Sequence, residues 1–332
     1  MRLSSRLAAV VCGLALASSA AAETRTVCVY DPLGSNGPAY KSADAMRVEA
    51  KAKFGIDIEL KAHVEEKTAS DDLLAGKCDA AAVTGVSARS FGLNSATVEA
   101  IGALPEYGLL KSTVRLLANE KMNSLMVTGD YETAGIFPGG AVYLYVRDKS
   151  WRAASDLAGK KVSAIRGDSA AATMIKEVGS SVVGASTATF GPMFNSHNVD
   201  AAYAPATAYE PLELYRGIGD TGGIIDFPLS QLTLQFVIKK DRWPEGFGAW
   251  GRGYAASKFD DSMGVVRRAE SKIDAKRLEI PAADKPGYEE RFLKVRLTLR
   301  DSGVYNRTIL SLMRRVRCQA DGTRSECVEK RE

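Results

Sequence analysis

From Thr26 to Phe91 short apolar runs alternate with helix-patterned segments, and that order implies a largely parallel, doubly wound α/β lobe. Thr26 to Tyr30 reads as a strand, followed by the loop Asp31-Pro32-Leu33-Gly34-Ser35-Asn36-Gly37-Pro38. Residues 39–53 predict an amphipathic helix, with Ala43, Met46, Ala50 and Phe54 at spacings of three and four. Ile56 to Ala62 alternates as a second strand, and Ala69 to Leu74 is a short helix stopped by Gly76. Asp79 to Val83 is a third strand, Thr84-Gly85 opens a loop, and Ser87 to Phe91 starts another helical turn.

A second set follows. Gly135 to Gly140 reads as a break, and Ala141 to Val146 as a strong strand. In the stretch from Leu157 to Ala171, Val162, Ala164 and Ile165 supply strand character. Arg166, Gly167, Asp168 and Ser169 lie where that strand ends. Ala170 to Val178 then has helix-forming composition, with Gly179 as its C′ residue. Ser181 to Val183, Val199 to Tyr203 and the long run Gln231 to Ile238 complete the strands. Residues 245–317 are mainly helical, including Glu289 to Leu299 and Tyr305 to Val316. The fold class is therefore α/β with two lobes, joined by crossing strands at 141–146 and 231–238. The expected division is 1–22 leader, 23–140 first part of lobe I, 141–238 lobe II with the crossing strands, and 239–332 a helical region packing on both.

The first 22 residues have the pattern of an export signal. Arg2 and Arg6 precede the apolar run Leu7 to Ala17, which is too short to span a bilayer, and Ala20-Ala21-Ala22 before Glu23 fits a cleavage site. Cys12 sits inside the apolar run, out of context for lipid attachment. Cleavage removes two arginines, so the net charge falls from +4 to about +2, which argues against nucleic-acid binding. The mature chain is expected to be a soluble periplasmic monomer.

Four cysteines remain: Cys28, Cys78, Cys318 and Cys327. In an oxidising compartment an even count suggests disulfides. Of the three pairings, Cys28–Cys78 is favoured because neighbouring strands carry both residues. Its complement, Cys318–Cys327, closes a polar segment containing Asp321-Gly322. Zinc is the alternative, but no CxxC spacing exists and the histidines are remote.

Three segments resemble the periplasmic solute-binding proteins of TRAP-type transporters, over roughly residues 25–240. They are Leu73 to Ala81, Asp156 to Val162, and Phe190-Gly191-Pro192-Met193 through Val199 to Pro205, with Tyr209 and Tyr215 following. A closer resemblance is to the AdeT-like group, described as solute-binding proteins or as components of RND-type efflux pumps. It rests on Asp31 to Gly37 and on Asp79 through Thr84-Gly85-Val86-Ser87-Ala88-Arg89-Ser90-Phe91. The resemblance implies two lobes closing on a solute and delivery to membrane transporter subunits. One departure matters: Ser163 stands where the TRAP family has an arginine that pairs with a substrate carboxylate, and Ala204 stands at its usual Asn. The organic-acid specificity of that family therefore does not carry over.

Ligands of open α/β sheets bind at the carboxyl ends of strands, beside helix N-termini. On that rule Arg166 is a candidate anion contact replacing the missing arginine, or else a surface charge pairing with Asp168. Ser169 is an anion donor or a plain N-cap, and Arg89 a cleft residue or a solvated helix charge. Asp31, Ser35, Asn36 and Thr84 follow strands, where they contact solute or only shape turns. Tyr143, Tyr203 and Tyr209 wall the pocket or pack in the core. The expected solute is small and polar or anionic.

Enzyme readings are weaker. Gly167-Asp168-Ser169-Ala170-Ala171 lacks the last glycine of a nucleophile elbow, and a triad would need His63 or His197. Asp220-Thr221-Gly222 occurs once, whereas aspartic-protease chemistry shares two carboxylates. No Walker motif is present, and no cofactor is expected. The remaining alternatives are an envelope accessory protein of an efflux system and a serine hydrolase.

Overall fold

The computed structural model describes residues 24–332; the expected leader and its cleavage site lie outside the described residues. The strands are β1 (Thr24–Tyr30), β2 (Asp57–His63), β3 (Ala80–Thr84), β4 (Val127–Thr128), β5 (Tyr131–Val146), β6 (Lys161–Ile165), β7 (Ser181–Ala185), β8 (Ala201–Pro205), β9 (Gly223–Lys239) and β10 (Arg277–Leu278). One twisted sheet runs β2-β1-β3-β9-β5-β8-β6-β7. The first lobe, β2-β1-β3, is parallel, and so is the second, β8-β6-β7. Antiparallel β5 and β9 join them and run through both.

Burial follows from this order. Every residue of β3 (Ala-Ala-Ala-Val-Thr) is buried, as expected of a strand covered by helices on both faces. Its small side chains leave room for the Pro38–Phe54 and Glu66–Leu74 helices, which bring Met46, Ala50, Ala69 and Leu73 into the core. In the second lobe Val162 and Ala164 face one core, while Ile165 packs against the other.

Both crossing strands are longer than their apolar cores suggest. The Gly135 to Gly140 segment does not break the chain. It lies inside β5, where the register with β9 shifts at Thr133/Gly135, Pro138/Gly140 and Val142/Leu144. Bulges accommodate residues that a regular ladder rejects. Gly140 has φ +113°, a conformation that side-chain-bearing residues rarely adopt, and Pro138 sits beside it.

The second helix begins earlier than its apolar pattern indicates, at Glu66 rather than Ala69. The helix after β6 is Ser169–Glu177, and its N-cap is Asp168 rather than Ser169: Asp168 Oδ1 accepts from the Ala171 N–H at 3.0 Å. Gly179 (φ +75°) follows its C-cap, as expected of a C′ glycine.

The cysteines pair as favoured. Cys28 and Cys78 are bonded with Cα atoms 6.0 Å apart, and Cys318 and Cys327 with Cα atoms 5.6 Å apart.

Of the C-terminal helices Phe247–Ser257, Phe259–Ile273, Lys285–Asp301 and Arg307–Ala320, the first two pack on β5, the first also meets Phe54 of the first lobe, and the third lies against the Ser169–Glu177 helix of the second. Arg89 donates to the Val304 carbonyl at 2.5 Å on the first-lobe side. Lys294 reaches Glu177 at 2.7 Å on the second. Among the described residues no helix is long and apolar enough to cross a membrane.

Candidate functional site

The carboxyl ends of β1 and β3 in one lobe face those of β6 and β8 in the other. Between them lies a cavity of about 270 Å³. Tyr30, Pro32 and Leu33 line it after β1, and Thr84 and Val86 after β3. Ile165 and Asp168 come from β6 and its loop, and Tyr203, Ala204 and Pro205 from β8. The bulged Phe137-Pro138-Gly139 segment and Val142 of β5 form one wall, with Leu232, Thr233 and Leu234 of β9 beside them. Ser262, Val265 and Val266 of the Phe259–Ile273 helix close another side. The volume lies just below the range of about 300–1,000 Å³ usual for small-ligand sites.

Two carboxylates enter this lining, which otherwise mixes apolar side chains with a few hydroxyls. Glu66 opens the Glu66–Leu74 helix and is 4% exposed. Its Oε1 accepts from the Thr84 N–H at 2.6 Å. Burial raises the Glu66 pKa, and the nearby Asp168 charge adds to the rise; hydrogen bonds from Thr84 and Ser87 oppose it. Asp168 belongs to the opposite lobe. Besides capping its helix, it accepts from the Tyr203 hydroxyl at 2.9 Å on Oδ2. Burial, and then the Asp168 charge, push the Tyr203 phenol well above its ordinary 10, so it stays a donor. The Ile165 N–H donates back to Tyr203 Oη at 3.3 Å, completing a short chain across β6 and β8.

Glu99 supports the floor from below. Its Oε1 accepts from the N–H groups of Gly85 at 2.9 Å and Thr233 at 2.7 Å, and from the Thr233 hydroxyl at 2.7 Å. Gly85 has no room for a side chain, since a Cβ would sit 2.4 Å from the Glu99 carboxyl carbon.

The two lobes also touch across the cavity mouth. Glu65 is the residue before the Glu66–Leu74 helix. Its carboxylate accepts from the Thr187 hydroxyl at 2.7 Å and from the Ala188 N–H at 3.0 Å. Those donors open the Thr187–Asn195 helix of the second lobe, whose N-terminus favours a negative charge.

Of the residues singled out from sequence, Thr84 and Tyr203 line the cavity. Arg166 does not: it is exposed and donates to the Gly184 carbonyl at 3.1 Å. Ser169 is exposed at the first turn of its helix, and no histidine bonds it among the described residues. Arg89 lies over the Tyr305 ring and bonds Val304, away from the cleft. Buried Asp31 fastens its own loop, accepting from Leu33, Ala39 and Tyr40 N–H groups. Gly37 is packed against that carboxylate too tightly for any Cβ. Ser35 and Asn36 form the exposed turn of the same loop.

Tyr143 is buried, with its hydroxyl on Glu270 Oε1 at 2.9 Å and Arg277 over its ring. Tyr209 stacks on Tyr145 and meets Tyr215 edge-on, outside the lining. Ser163, at the resembling family's arginine position, is fully buried with no hydrogen-bond partner for its hydroxyl among the described residues. Cys28, His63 and Asp72 bring possible metal-ligand atoms within 4.8 Å of one another, but the Cys28 sulfur is committed to Cys78.

Glu66 and Asp168 escaped the sequence-based selection. The strand-end rule that flagged Thr84 and Arg166 applies to both, because each begins or caps a helix at the cleft. The family described as solute-binding protein AdeT 1/2 matches residues 43–332. The chain belongs to the AdeT 1/2 family of solute-binding proteins. It is 34% identical over 300 residues to "Probable solute-binding protein AdeT1" of Acinetobacter baumannii, spanning 90% of this chain and 98% of the relative.

Among solved structures it is similar to a TRAP periplasmic solute binding protein from Ralstonia eutropha H16 with bound (S)-2-acetolactate. The TM-score is 0.72 at 14% identity, covering 87% of this chain and 97% of that one. A TRAP periplasmic solute binding protein from Desulfovibrio salexigens with bound orotic acid gives a TM-score of 0.72 at 9% identity, covering 89% and 99%. These likenesses establish the two-lobe TRAP-type binding-protein fold for the AdeT-family chain.

Proposed function

We propose that this protein is a periplasmic receptor that captures one small solute in the cavity between its lobes and hands it to a membrane transporter. The observation that carries this reading is the cavity at the strand ends, across whose mouth Glu65 meets the Thr187–Asn195 helix. Part of the solute's binding energy drives the lobes together, so affinity reflects contacts and closure jointly. The leader pattern supports export with cleavage before Glu23. A cleft filled by bulky side chains would instead favour an efflux accessory role; here the cleft is open.

A thermal-shift screen of small polar metabolites tests the reading. A captured solute at a hundred times its Kd contributes about 2.7 kcal/mol to the folded state, which raises the melting temperature of a chain this size by about 4 °C. Stabilisation by no solute in the screen would remove the capture reading.

A further inference from the structure

We propose that the cleft selects a small cation, a solute with a compact apolar body and a protonated nitrogen seated between Glu66 and Asp168. This deepens the capture reading above and rests on it.

Among the described residues lining the cavity, Glu66 and Asp168 are the charged ones, and no Lys, Arg or His joins them. The guanidiniums that the sequence offered for this place are bonded elsewhere, Arg89 to Val304 and Arg166 to Gly184. The two carboxylates come from opposite lobes, so closing the lobes brings like charges together. Burial is the main cause of the raised Glu66 pKa, and the Asp168 charge adds a smaller push in the same direction. Neither carboxylate is saturated by its partners. Each Asp168 oxygen accepts one bond, from Ala171 or Tyr203, and a carboxylate oxygen can accept two.

A cation placed between them turns repulsion into attraction. It therefore favours the closed arrangement, and solute binding and lobe closure become one event. An anion would meet two like charges in a poorly hydrated space, a juxtaposition that costs several kcal/mol. The remaining walls suit the body of such a solute. Tyr30, Phe137, Phe190 and Tyr203 present rings, and Val142 and Val266 aliphatic groups. Ring faces also attract an ammonium when water is excluded.

The test is a thermal-shift panel of matched solutes on cyclohexyl, phenyl and linear skeletons, each supplied as its amine, its alcohol and its carboxylate. Hits are titrated calorimetrically into wild type, Glu66→Gln and Asp168→Asn. Both substitutions keep the side-chain size and an acceptor for Thr84 or Ala171, and Asn is itself a good N-cap. The expected result is stabilisation by amines, with each substitution weakening amine affinity at least tenfold. Amines binding no tighter than their alcohols or carboxylates would overturn the cation seat and leave solute capture standing. Amine affinity unchanged in both variants would overturn it equally. If no member of the panel and no solute of the wider screen stabilises the protein, capture and the cation seat fall together.

Discussion

Replacing Arg317 by Ala lowers the unfolding free energy by about 3–5 kcal/mol, the range for breaking a buried ion pair from one side. Arg317 is 1% exposed. Its guanidinium grips Glu326 with two bonds at 2.7 and 2.6 Å, donates to Glu332 at 2.5 Å, and donates to the Ala103 carbonyl at 2.7 Å. Arg296 holds the other Glu332 oxygen and the Ile101 carbonyl. Removing Arg317 takes a donor from two acids and a carbonyl where water reaches them poorly, and leaves only Arg296 on Glu332 and Arg324 on Glu326 among the described arginines. The Cys318–Cys327 bond keeps the neighbouring segment in place, so it does not relax far enough to solvate them.

For a chain of this length the melting temperature falls by about 6 °C. Chemical denaturation at pH 7 measures the loss directly, and a loss below about 1 kcal/mol would contradict the assignment of this network. Burial opposes ionisation of Glu326, but Arg317 and Arg324 outweigh it and bring its pKa from 4.5 to about 2. A depressed carboxylate contributes stability that is present above its unfolded pKa. The network's contribution therefore starts to fade below about pH 4.5 and is lost near pH 2.

Glu99 titrates with the opposite sign. Burial raises its pKa from 4.5 to about 7, against the hydrogen bonds from Thr233 and Gly85 and the charge of Arg89. Between those two values the folded protein keeps a proton that the unfolded chain has released. Stability therefore falls as pH rises through that window, by up to about 3 kcal/mol from this group. Glu99→Gln removes the titration while leaving an acceptor for Gly85 and Thr233. Unfolding free energies of the two proteins, measured at intervals from about pH 4.5 to about pH 8, should diverge in favour of the variant as pH rises. Parallel curves would show that Glu99 is not held protonated under the cleft floor.

Much of the fold is legible in the sequence because each parallel strand is a short apolar run between turn residues, and because Cys28 lies on β1 and Cys78 just before β3, its neighbour in the sheet. The crossing strand is legible only in its second half. Gly135, Pro138, Gly139 and Gly140 carry the signature of a turn, and it is pairing with β9 through three register shifts that makes them strand. That segment also forms a cavity wall, so reading it as a break hid part of the site. Arg166 illustrates the other limit. The strand-end rule places a residue near the cleft but not the direction of its side chain. Gly167 turns the chain at φ +93°, Arg166 packs along Gly184, and the charge that lines the cleft is Asp168, two residues on. Glu66 was obscured because its helix begins on polar residues, where apolar periodicity gives no signal.

In the capture proposed here, closure of one lobe on the other holds the solute, with Glu65 as a contact across the mouth. Calorimetric titration of a solute found in the screen into wild type and Glu65→Ala tests this most directly. Charge-assisted hydrogen bonds contribute about 1.5–3 kcal/mol, so affinity should fall by roughly tenfold to a hundredfold. The melting temperature of the solute-free protein should change little, because Glu65 lies at the mouth and not in a core. Equal affinity in the two proteins would mean that closure across Glu65 and Thr187 contributes nothing to capture.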